Sequence, residues 1–136
     1  MKIKLTIFIF TMILSSCFLS DWDGRLILIN KSNEKIRWWQ EIKNKSDSIP
    51  DTTYCDKGEL TFILPNHDEM LTTQNRWEFS LRNKPDKILR VYIMSDDSIS
   101  KYGYCKVYKK QIFKKRYDLT YDDLVKLNWK LVYDGN

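Results

Sequence analysis

The sequence predicts a mainly β protein of the α+β class. The expected architecture is an antiparallel β-sandwich-like domain with two short helices near its C-terminus, preceded by a cleaved signal peptide. Three observations predict it. Apolar runs of strand length, each closed by turn residues, recur through the first two thirds of the chain, and helical patterning follows only after them. Strands first and helices afterwards point to an antiparallel sheet rather than alternating β-α units. Aromatic residues make up 14% of the chain, which favours a packed, strand-rich domain over a disordered stalk. The opening residues, by contrast, have the layout of a targeting segment.

That segment begins with two cations, Lys2 and Lys4, and runs apolar from Leu5 to Leu14. A ten-residue stretch falls short of the roughly 20 apolar residues that cross a bilayer as a helix. Leu14-Ser15-Ser16-Cys17 follows, an aliphatic residue and two small ones before a cysteine. It resembles the bacterial lipobox, which implies cleavage before Cys17, a thioether-linked diacylglycerol on its sulfur and an acylated new amino terminus, commonly palmitate. The chain then divides into a lipoprotein signal peptide (1–16), a lipidated tether (17–24) and one β-rich globular domain (25–136). Removing the first 16 of 136 residues leaves 120, enough for one domain with its own core, and the formal charge falls from +5 to +3. So mild a basic balance gives no argument for nucleic acid.

Within the domain, Arg25–Asn30 and Lys35–Ile42 read as two strands of a β-hairpin around the polar turn Asn30-Lys-Ser-Asn33. Residues 43–58 are polar, with Pro50 and Gly58, and read as a long loop. Glu59–Leu64 is a third strand, ended by Pro65. Arg76–Arg82 alternates, placing Trp77, Phe79 and Leu81 on one face of a fourth strand. Lys87–Met94 is almost continuously apolar and reads as a central fifth strand. From Ser98, the spacing of Ile99, Tyr102, Val107 and Tyr108 suits a helix that Gly103 weakens. Thr120 and Asp123 have capping-box spacing, opening a helix over 121–127 with Leu124 and Leu127 facing one way. Asn128 ends it, and Trp129–Tyr133 alternates as a closing strand.

Few residues carry chemistry. With Cys17 lipidated, Cys55 and Cys105 form either a disulfide, closing a loop of about 50 residues and contributing roughly 2–4 kcal/mol, or two unpaired thiols. His67 is the only histidine and has no cysteine partner at a catalytic spacing. His67-Asp68-Glu69 lacks a second ligand cluster, so no metal site and no cofactor is expected. The chain has four glycines and no Gly-rich phosphate loop. Asp96-Asp97 and Asp122-Asp123 sit where helices begin, where the macrodipole stabilises carboxylates. The run Lys106, Lys109, Lys110, Lys114, Lys115, Arg116 reads as a solvated helix face and edge strand, with contact to anionic lipid as the alternative. Trp38 and Trp39 point to opposite faces of their strand. One belongs to the core, and the other is a candidate for stacking on a sugar or a protein partner. Ser48, Thr52 and Ser98 each follow an aspartate and precede Ile or Thr, a triplet resembling the O-glycosylation acceptor motif of exported proteins in some gut anaerobes.

Arg116-Tyr-Asp-Leu119, a short helix, Asn128-Trp129 and a final strand, together with the lipobox and the early Leu26-Ile-Leu-Ile-Asn-Lys-Ser-Asn-Glu-Lys-Ile36 stretch, resemble a family of small lipoproteins from gut Gram-negative anaerobes. The resemblance covers about a third of the mature chain and implies compartment and fold, with no catalytic residue. The expected function is therefore that of a non-enzymatic binding or accessory module. It would be held on the outer membrane through acylated Cys17, facing periplasm or cell surface, with an envelope protein or glycan as partner and no nucleic acid. An exported inhibitor, an immunity-type lipoprotein or a small hydrolase is the alternative.

Overall fold

A computed structural model of the chain describes residues 22–47 and 61–136. Seven strands form two sheets among these residues. The first joins β1 (Asp23–Asn30), β4 (Asp68–Thr73) and β7 (Lys130–Tyr133) in the order β4-β1-β7; the second joins β2 (Ile36–Asn44), β3 (Phe62–Ile63), β5 (Lys87–Ser95) and β6 (Lys115–Leu119) in the order β3-β2-β5-β6. All pairings are antiparallel except β1 with β7, which run parallel from Ile27↔Lys130 to Asn30↔Tyr133. The mainly β, α+β class is as the sequence predicts.

Alternation explains how the sheets stack. Leu26 and Leu28 of β1, Leu71 of β4 and Leu131 and Tyr133 of β7 face inward and meet Ile36, Ile63, Leu89, Val91, Ile93 and Leu119 of the second sheet. β5 is buried on both sides, the condition under which a strand reads as a continuous apolar run. Its alternate residues Tyr92 and Met94 enter a second core, against Val107, Tyr108 and the half-buried Trp39, Ile99, Tyr104 and Phe113. Helices α1 (Asp96–Tyr102) and α2 (Tyr104–Lys109) supply that cover. The molecule thus has three layers: sheet, sheet and a helical flap.

β1 and β2 are not a hairpin. They belong to different sheets, and the turn between them crosses the sandwich. Asn30 makes the crossing. Its buried amide donates to the carbonyls of Glu34 (2.8 Å), Ile63 (3.2 Å) and Leu64 (3.2 Å), and its Oδ1 accepts from Ser32 N (3.0 Å) and Ser32 Oγ (2.6 Å). A β1 side chain that satisfies five groups, among them a carbonyl of β3 in the second sheet, competes successfully with a tight turn.

Other elements also differ from the sequence reading. Arg76–Arg82 is not a strand: Glu78–Arg82 is a π-helical turn, with Asn83 N donating to Glu78 O at 3.0 Å. Trp77 and Leu81, four apart, share its buried face, while Phe79 points to solvent. β4 was not anticipated. The helix expected from Ser98 starts at Asp96 and breaks at Gly103, whose φ of 77° and ψ of 149° suit glycine alone. The capping box forms as expected at α3 (Tyr121–Lys126): Asp123 N donates to Thr120 Oγ1 (3.2 Å), and Thr120 N donates to Asp123 Oδ2 (2.9 Å). Leu124 is buried but Leu127 is exposed. Asn128 and Trp129 take left-handed φ values of 50° and 59°, so Trp129 leaves the strand pattern and tilts against Trp77, ring centroids 6.4 Å apart.

Candidate functional site

The site lies at the pole of the sandwich where β1 begins. A cleft of about 850 Å³ is lined there by Trp22, Asp23, Gly24, Arg25, Met70, Arg76 and Glu78. Its floor is one polar network. Arg25 Nη2 reaches Asp23 Oδ2 (2.6 Å) and Glu78 Oε2 (2.7 Å), and its Nε donates to Asp23 Oδ1 (3.0 Å). The guanidinium lies 4.2 Å from the Trp129 ring centre, a cation-π contact. Trp77 N donates to Asp23 Oδ2 (3.1 Å) and Tyr121 OH to Glu78 Oε1 (3.0 Å). The π-turn exists to deliver these groups: it buries Trp77 and Leu81 and thereby aims Glu78 at β1.

The network fixes its charges. Hydrogen bonding from Arg25 holds the Glu78 carboxyl below the ordinary range. At Asp23, burial acts to raise the pKa, but the donors from Arg25 and Trp77 outweigh it and the net shift is down. Arg25 gains correspondingly, and burial with the bond to Glu78 raises Tyr121. Both carboxylates therefore stay ionised and saturated by donors, and neither is poised to carry a proton near neutral pH. The arrangement suits binding. Gly24 matters to the rim, because a Cβ there would collide with the Met70 side chain that crosses over it.

Two further hollows open at the same pole. One, about 270 Å³, includes Lys45, Arg82, Lys87 and Tyr121 in its wall. The other, about 190 Å³, lies beside Gln40, Thr72, Trp77 and Leu89. A separate polar cluster sits under the helical flap, where Glu41 accepts from Tyr92 OH and from Tyr108 OH (3.1 Å), with Lys43 Nζ at 3.7 Å. Burial first, then this carboxylate, raises both tyrosines. The cluster ties α2 to the second sheet.

The residues singled out in the sequence fall elsewhere. Trp38 and Trp39 do point to opposite faces, but both are half-buried, Trp38 against the main core and Trp39 against Tyr104 at 6.4 Å. Neither is an open stacking platform. The exposed tryptophan is Trp22. Cys17, Cys55, Ser48 and Thr52 lie outside the described residues. Cys105 is disulfide-bonded, which decides against two unpaired thiols at that position; its candidate partner Cys55 lies outside them too. Ser98 is half-buried on α1. His67 is exposed, its Nδ1 2.9 Å from Pro65 O, and among the described residues no group of three His, Cys, Asp or Glu is placed to hold a metal. Asp96 is ion-paired with Lys35 (2.5 Å) and Arg37 (2.6 Å) and held low by them, while Asp123 is held low by Thr120. Of the basic run, Lys115 and Arg116 lie on edge strand β6, and Lys114 pairs with Glu34 at 3.1 Å.

Arg25 and Glu78 were missed because their meeting joins positions far apart in the chain. The one local hint was Trp22, an aromatic residue set between the acids Asp21 and Asp23. No protein-family model, no curated protein and no solved structure matches this chain.

Proposed function

We propose that the chain is exported, acylated on Cys17 and held at the outer membrane, where its domain acts as a non-enzymatic binding or accessory module. The observation that carries this reading is the order of features at the N-terminus: two cations, an apolar run and Leu14-Ser15-Ser16-Cys17, with the first strand opening at Asp23. Three structural facts support it. The described core residues, from Leu26 onward, all lie C-terminal to the proposed cleavage site. The disulfide on Cys105 fits an oxidising compartment. No described helix is long and apolar enough to cross a membrane, so acyl chains would supply the hold; each buried methylene contributes about 0.8 kcal/mol, and two or more chains anchor stably.

The binding role rests on the saturated Asp23–Arg25–Glu78 network, which presents fixed polar groups and no proton-transfer pair. Fractionation of cells producing wild type and Cys17→Ala tests the anchoring. Wild type is expected in the membrane pellet and the variant in the soluble fraction; identical partitioning would sink the reading.

A further inference from the structure

The three most exposed large apolar side chains among the described residues are Trp22 (59%), Phe79 (58%) and Met70 (56%). Trp22 and Met70 line the polar cleft. Phe79 stands on the solvent side of the π-turn that supplies Glu78 to it, its N–H bonded to Arg76 O at 3.0 Å. Three such side chains exposed around one network are a surface that something covers.

Chain length identifies the cover. Cys17 and Trp22 are five residues apart, so a fully extended tether spans at most about 18 Å. β1 itself runs eight residues from Asp23 to Asn30, about 26 Å at strand rise. An anchor on Cys17 therefore reaches the Trp22 pole and not the opposite one, where Asn30 bonds the carbonyls of Ile63 and Leu64. The charges agree. Lys84 Nζ lies 5.4 Å from the Phe79 ring centre, and Lys45, Arg82 and Lys87 line the neighbouring hollow. Aromatic side chains flanked by cations are the composition of a surface resting at the headgroup level.

We propose that this pole is a membrane-seating surface: Trp22, Met70 and Phe79 insert among the headgroups of the bilayer that carries the chain's own anchor. The proposal rests on acylation of Cys17. It assigns membrane contact to the pole at the start of β1. The basic run on α2 and β6 is excluded, because Lys115 is registered with Ile93 near the far end of β5.

The test uses the full chain processed in cells and its native membranes. Benzoylphenylalanine replaces either Phe79 or Phe62, which is also aromatic and exposed but lies at the opposite pole, registered with Arg37. After irradiation, lipid adducts are counted by mass spectrometry, and a palmitate analogue reports acylation of Cys17 in the same samples. Lipid adducts at position 79 at least ten times those at position 62 are the expected result. Label on Cys17 with equal or no lipid adducts overturns the seating alone. A protein adduct in place of lipid at position 79 also overturns it, giving the surface to a partner. Loss of both label and adducts takes the anchoring reading down as well.

Discussion

Replacing Asn30 with alanine should unmake the crossing between the two sheets. The side chain is fully buried. It donates to three carbonyls and accepts twice from Ser32. Two amide hydrogens serve the three carbonyls, so about four effective hydrogen bonds are lost, each contributing about 0.5–1.5 kcal/mol net. Alanine offers no replacement donor to the carbonyls of Glu34, Ile63 and Leu64. The expected loss is about 3–4 kcal/mol, a large share of a domain's total stability. It would lower Tm by about 10–15 °C at this chain length. Urea unfolding followed by tryptophan fluorescence, on a Cys17→Ala background that keeps the protein in solution, measures it directly. Asn30→Asp, which keeps Oδ1 but turns a carboxylate toward three carbonyls, should lose at least as much. A loss below about 1 kcal/mol for the alanine variant would show that the crossing is specified by something other than Asn30.

Four further outcomes follow from the same reasoning. Gly103→Ala meets no atom within 4 Å but forces a side chain into a glycine-only region, so about 1–3 kcal/mol should be lost, with α1 and α2 exchanging hydrogen faster and the sandwich core unchanged. Thr120→Ala removes the cap of α3 and should cost about 0.5–2 kcal/mol in thermal unfolding. Stability, followed by urea unfolding across pH, should be flat between the ordinary carboxylate range and about pH 10 and fall with acid. The carboxyls of Asp23, Glu78, Asp96 and Asp123 all titrate lower in the folded chain than in the unfolded one, so their contribution is present above the unfolded values and lost as pH drops through the folded ones. At the alkaline end the sign reverses: burial raises Tyr104 and Tyr133 to about 12, so stability should decline as pH passes 10, and a tyrosine absorbance titration should show the step coinciding with unfolding.

What the sequence disclosed follows from how local each signal is. β5 was legible because burial on both faces leaves Ile88 to Met94 almost wholly apolar. α3 was legible because its cap is contained within four residues. Arg76–Arg82 misled because Trp77 and Leu81 satisfy two periods at once; only Phe79, inward in a strand and outward in the turn, separates them, and its exposure is a tertiary fact. β4 was silent because Asp68-Glu69-Met70-Leu71-Thr72-Thr73 carries acids and one inward leucine, and it becomes a strand by pairing with β1. The hairpin failed for the same kind of reason, since Asn30 finds its partners at Ile63 and Leu64. The cleft required Asp23, Arg25, Glu78, Tyr121 and Trp129 to converge from four elements and connections, and no local pattern announces such a meeting.

The most direct test is the mass of the mature amino terminus recovered from the membrane fraction. The account predicts a first residue of Cys17 bearing a diacylglycerol thioether and an acyl chain on its nitrogen. A terminal peptide that starts at Met1, or at any residue other than 17, with Cys17 unmodified, would contradict it.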